Sequence, residues 1–262
     1  MFSAESQAIL DDVAGRRGYD DPCGIARALD VVGDRWALLV VRELVFGPKR
    51  FGDLTRGLPG MSQNVLSQRL RELEQAGIVR RRRLGPPVGT GVYELTPRGQ
   101  ELEDVLLALA RWGSREPLTS GGDLSVDALM LALKTTFDPA AAGDLDARYE
   151  LAFGDDRFHA EIVSGRFWIA RGPAGRADAL LDASALVLRD VMFAGRPLAD
   201  AVESGDLRLT GDVRVAERLV ACFPRPATPS TTLRMTPQAT LAATPPMTPP
   251  ENLPAAPPAS AG

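Results

Sequence analysis

Asn64, Ser67, Gln68 and Arg71 recur at helical spacing in a stretch whose apolar positions, Leu66, Leu70 and Leu73, are four and three residues apart. At 100° per residue, turning the leucines inward turns Asn64, Ser67, Gln68, Arg71 and Gln75 outward. These side chains are suited to recognition rather than bond-making. Amides pair bidentately with adenine, guanidinium with guanine, and a hydroxyl with several base edges. Only the first half of such a helix reaches a groove floor, which selects Gln63, Asn64, Ser67, Gln68 and Arg71, with Ser62 beside them at the N-cap. A second cluster, Arg80, Arg81, Arg82 and Arg83, follows directly. On a strand these four point to both faces, so at least two lack an easy local acid. Guanidinium suits phosphate and narrow minor grooves, and the Gly/Pro tip from Gly85 to Gly89 allows close approach to a backbone. The alternative for each cluster is a solvated surface.

The elements that must position these residues are legible on either side. Ile25, Leu29, Val32, Trp36, Val40 and Leu44 recur at threes and fours, which predicts one helix ending before Gly47-Pro48. The short polar helix FGDLTRGL follows. Pro59-Gly60 turns the chain into the helix capped by Ser62 and stopped by Gly77. VRRRRL and VYEL read as a hairpin, and Thr96 with Pro97 opens a helix to about Trp112 that carries Leu106, Leu109 and Trp112 in register. Helix, short helix, turn, helix, hairpin is the order of a winged helix-turn-helix.

Net charge is −4, which disfavours a nucleic-acid partner until it is read by segment. Residues 35–98 hold twelve Arg/Lys against five Asp/Glu, or +7, whereas residues 119–262 hold thirteen against eighteen, or −5. No apolar run approaches the length of a membrane span, and the acidic, broken N-terminus does not read as a leader. Cys23 and Cys222, about 200 residues apart, form neither a disulfide framework nor a metal cluster by spacing. A reducing cytoplasm is the expected compartment.

The stretches CGIARALDVVGDRWALLVVREL, RFGDLTRGLPGMSQNVLSQRLRELEQAGIVRR and YELTPRGQEL, between Cys23 and Trp112, resemble the HxlR family of winged-helix regulators. The resemblance implies a homodimer, built through the N-terminal region and the helix after the hairpin, that binds double-stranded DNA at a near-palindromic operator. It also draws attention to Cys23, since family members often carry a cysteine just ahead of the long helix. In some of them it senses oxidants or electrophiles. A helix N-terminus favours thiolate, so Cys23 reads either as a redox sensor or as a small buried residue.

After the small-polar linker LTSGGD, residues 123–137 predict an amphipathic helix. RYELAF, RFHAEIV and RFWIAR then predict three strands joined by GDD and SG turns, followed by two helices, the strand DLRLTG and a last helix. This α+β order is similar to sterol-carrier-protein type 2 domains, which enclose an apolar tunnel. The resemblance implies a hydrophobic small-molecule ligand lined by Leu133, Phe137, Phe153, Phe158, Trp168, Met192, Phe193 and Phe223. The same residues would also make an ordinary core. From Pro224 onward lie eleven of the chain's 21 prolines, and residues 225–262 read as a disordered tail.

The expected organisation is therefore a DNA-binding and dimerisation domain at 1–117, a sterol-carrier-like sensing domain at 118–224 and a tail at 225–262. His159 is the only histidine, and no GxSxG, P-loop or GxGxxG occurs. Asp155-Asp156 reads as a turn rather than a carboxylate pair. No catalytic residue, metal site or cofactor is expected. Two functions remain open: a transcriptional regulator controlled by a ligand or a thiol, and a lipid-binding or carrier protein whose winged helix mediates protein contacts.

Overall fold

The computed structural model describes residues 18–83, 85, 89–114, 122 and 124–223. The expected hairpin tip at 86–88, most of the 118–123 linker and the expected tail at 225–262 lie outside them.

The pattern from Ile25 to Leu44 forms two helices rather than the one predicted, α1 (Gly24–Val32) and α2 (Ala37–Leu44). The break is at Gly33, whose N–H donates to the Leu29 carbonyl at 2.8 Å before the chain turns through Asp34–Trp36. A Cβ on Gly33 would meet the Leu29 carbonyl oxygen at 2.4 Å, so this turn requires glycine. The break leaves Ile25 and Leu29 at 72% and 43% exposure. Val40, Val41 and Leu44 of α2 are buried.

Three further elements pack on α2. Helix α3 (Phe51–Gly57) buries Leu54, and α4 (Gln63–Gln75) buries Leu66, Leu70 and Leu73. Strands β1 (Val79–Arg83) and β2 (Gly91–Leu95) pair antiparallel from Val79 opposite Leu95 to Arg83 opposite Gly91. Lys49 adds a bridge on the outer side of β2, with N–H···O bonds running both ways to Tyr93 at 2.9 and 2.8 Å. The helix predicted from Thr96 is a capped turn, α5 (Pro97–Gln100), followed by α6 (Leu102–Gly113).

The second half opens with α7 (Val126–Thr136), capped by Ser125, and the short α8 (Pro139–Ala142). Strands β3 (Ala147–Phe153), β4 (Asp156–Val163), β5 (Arg166–Arg171), β6 (Ala179–Ala183) and β7 (Leu207–Gly211) form one sheet in the order β5-β4-β3-β6-β7. Only the β3–β6 pair is parallel. The β4–β5 turn places Ser164 and Gly165 at φ 51° and 71°, the left-handed pair that matches strand twist. Helices α9 (Ala185–Met192), α10 (Leu198–Glu203) and α11 (Val213–Ala221) complete the unit. Alternation sends Tyr149, Leu151, Phe158, Ala160, Ile162 and Ile169 into the core that the helices cover.

The two halves share buried surface. Leu131 of α7 is 4% exposed and belongs to the core built by α2, α4 and the hairpin. Phe46, after α2, packs against both cores and meets Phe158 edge-on at 5.6 Å. Truncating a buried leucine removes apolar contacts and leaves a cavity. Leu131→Ala is therefore expected to cost about 2 to 5 kcal/mol in urea unfolding, within a single transition seen alike by fluorescence and circular dichroism. Two separated transitions would show that the halves unfold independently.

Candidate nucleic-acid interface

The geometry of α4 follows from its cap and its leucines. Ser62 is extended, and its Oγ accepts from the Val65 N–H at 3.3 Å, starting the helix where a free donor needs a partner. Leu66, Leu70 and Leu73 are each 1% exposed, so the opposite side faces out. Gln63, Asn64, Gln68 and Arg71 are exposed and Ser67 is half-buried. Along that side Arg71 donates to the Gln68 carbonyl oxygen at 2.8 Å, and Gln68 donates to Glu72 at 2.8 Å. Glu72 in turn pairs with Arg69, which also pairs with Asp34, so Arg69 ties the helix to the turn after α1 instead of joining the outward set.

The arginine strand divides by parity. Arg80 and Arg82 lie on the side of Glu94, which they share at 2.7 and 3.0 Å. Arg81 and Arg83 point the other way, and no carboxylate among the described residues pairs with them. Arg81 lies 6.0 Å from the centre of the Tyr93 ring, and Arg81 to Arg83 with Gly89 and Gly91 line a hollow of about 420 Å³. Tyr93 and Lys49 escape a reading of sequence because their parts depend on hairpin register and on a bridge from 44 residues upstream.

A row of paired donors and acceptors beside a cationic hairpin is what a groove and its phosphates require. An HxlR-like helix-turn-helix family profile matches residues 31–118. An uncharacterised HTH-type transcriptional regulator of Synechocystis sp. is 42% identical over 93 residues, 35% of this chain and 68% of its own. The chain belongs to the HxlR family.

Another HTH-type transcriptional regulator, YodB of Bacillus subtilis, is 38% identical to this HxlR protein over 88 residues, 34% of this chain and 79% of its own. The crystal structure of quinone-bound YodB matches at 35% identity and TM-score 0.31, covering 35% of this chain and 97% of that one. The HxlR protein spans 56% of the length of an uncharacterised regulator of Mycobacterium tuberculosis, at 40% identity. It is an HTH-type transcriptional regulator.

Its two thiols differ in setting. Cys23 is exposed at the N-cap of α1, its N–H donating to Asp21 at 2.8 Å. Cys222 is fully buried and donates to the Arg218 carbonyl at 3.1 Å, and burial pushes its pKa up. In the second half Leu133, Phe158, Met192 and Phe223 are buried, with Phe137, Phe153 and Phe193 packed against them. Phe223 touches Phe137 and Phe193 edge-on. Trp168 does not join this set. Strand parity puts Phe167 and Ile169 inside and leaves Trp168 half-exposed on the other face, 4.5 Å from His159. Phe167, which sequence reasoning passed over, takes the inner place and stacks on Phe137 at 5.3 Å.

A thiol reacts only where reagent can reach it, and burial further disfavours the reactive thiolate of Cys222. A maleimide at neutral pH is expected to label one thiol in the folded protein, to label none in Cys23→Ser, and to reach Cys222 only after denaturation. Rapid labelling of Cys23→Ser under native conditions would contradict this setting.

Proposed function

We propose that this HxlR protein binds a near-palindromic operator as a homodimer, with α4 in the major groove and the hairpin on the flanking backbone or minor groove. The observation that carries the reading is the outward row of Gln63, Asn64, Ser67, Gln68 and Arg71 on a helix locked by three buried leucines. Arg81 and Arg83 supply the phosphate side, with Arg80 and Arg82 tempered by Glu94. Support for a homodimer comes from apolar surface left over after folding. Val105, Leu109 and Trp112, at steps of four and three on α6, are 49%, 47% and 64% exposed, and Ile25 and Leu29 are exposed on α1. Such stripes are what a second copy would cover.

Control through Cys23 is the regulatory reading we favour. Its thiol is exposed, and YodB, a relative, has been crystallised with quinone bound and after diamide treatment. Control by a hydrophobic ligand would act through the second half. The residues proposed to line its site, Leu133, Phe137, Phe153, Phe158, Met192, Phe193 and Phe223, belong to or pack against one apolar core.

A gel shift on DNA from upstream of the protein's own gene tests the central reading. Binding is expected to weaken steeply as salt rises, because phosphate contacts release counterions. Salt-insensitive behaviour or no shift would favour the carrier alternative. Within a binding complex, Arg71→Ala is expected to lose roughly 1 to 3 kcal/mol on specific DNA only. Arg81→Ala with Arg83→Ala should weaken specific and nonspecific DNA alike and flatten the salt slope. Wild-type behaviour in both variants would show that α4 and the hairpin do not face DNA.

A further inference from the structure

Beside their apolar contact the two halves share a chain of charged side chains built on two buried carboxylates, Glu43 and Asp127. Glu43, near the end of α2, has no exposure. Its carboxylate accepts from Arg42 at 2.8 Å, from the Ser125 hydroxyl at 2.6 Å and from Lys49 Nζ at 2.7 Å. Lys49 Nζ also donates to Asp127 of α7 at 2.5 Å, and Asp127 is 2% exposed. Arg171, at the end of β5, holds both oxygens of Asp127 at 2.7 and 2.8 Å and pairs beyond it with Asp156. Its guanidinium lies over the Phe158 ring at 4.5 Å. Helix α3 rests against the same group, since a Cβ on Gly57 would meet a Glu43 oxygen at 2.2 Å.

Lys49 is the link that gives this chain a function. Its side chain ends among Glu43 and Asp127, while its main chain is bonded in both directions to Tyr93, beside whose ring Arg81 lies. The path Arg171–Asp127–Lys49–Tyr93–Arg81 therefore runs from the second sheet to the DNA-facing hairpin. We propose that the second domain is part of the DNA-reading head, with Asp127 and Arg171 acting through Lys49 as positioning residues for the hairpin. A buried cation that loses one of two carboxylates must find another partner or move. A change in the second domain that draws Asp127 away thus frees Lys49 and, with it, the strand that aligns Arg81. The inference rests on the hairpin's being a DNA contact.

The test has two arms on the full-length protein. In hydrogen exchange, Asp127→Asn should speed exchange at the Lys49 and Tyr93 amides and leave the Leu66–Leu73 amides of α4 unchanged. Faster exchange throughout, or none at the hairpin, would overturn the proposal. In DNA binding, Asp127→Asn should weaken affinity roughly fivefold or more. That loss should disappear in an Arg81→Ala/Arg83→Ala background and persist in full in an Arg71→Ala background, a coupling that general destabilisation does not produce. Equal losses in both backgrounds would also overturn it. Arg171→Gln, at the partly exposed end of the chain, should show the same pattern and serves if Asp127→Asn does not fold. If the wild-type protein binds no DNA, the regulator reading fails, and the exchange arm still decides whether Asp127 positions the hairpin through Lys49.

Discussion

A carboxylate without solvent must have its charge met, and Glu43 is such a carboxylate. The cations come from Arg42 beside it and from Lys49, which bridges to Tyr93 of the hairpin, with a hydroxyl from Ser125 of the second half. Meeting that charge brings α2, the hairpin and α7 to one place. Asp127 repeats the demand, and Arg171 answers it from the far side of the sequence. Replacing such a cluster with apolar side chains can leave stability unchanged, but removing one member strands the others. The ions thus add directional contacts between elements that Leu131 and Phe46 also join by apolar packing.

Around that anchor, apolar burial assigns the remaining faces. The stripe of Leu66, Leu70 and Leu73 takes one side of α4, so the amides, hydroxyl and guanidinium opposite it remain available. Strand parity does the same for the four arginines: the single acid on β2 can satisfy one side only. The exposed apolar residues of α1 and α6 are a third consequence. On α1 the turn at Gly33 leaves Ile25 and Leu29 outside, and on α6 Leu106 is buried while Val105, Leu109 and Trp112 stay exposed.

Much of this is legible in the amino-acid sequence, because it depends on neighbours close in the chain. The leucine period, the Ser62 cap, the turn glycines and the strand alternation of 147–171 each act within a few residues. The errors have physical causes of the same kind. The apolar series from Ile25 to Leu44 keeps helical phase straight through the turn at Gly33, so periodicity cannot reveal the break. In RFWIAR three apolar residues adjoin, and only the pairing with β4 decides that Phe167 goes in and Trp168 out. The contacts that join the halves have no local signal, since Lys49 and Asp127 are 78 residues apart and Glu43 and Ser125 are 82 apart.

We propose a reading surface composed of α4 and the hairpin, held in fixed relation by buried charge and doubled by two-fold symmetry. Hydroxyl-radical footprinting of the full-length protein on its own upstream DNA tests this most directly. The expected pattern is two protected segments centred about one helical turn apart, roughly 34 to 36 Å along the axis, each flanked by protection where the hairpin meets the backbone. Arg81→Ala with Arg83→Ala should erase the flanks and leave the central segments. A single unsymmetrical footprint, or flanks that persist without those arginines, would contradict the composite reader.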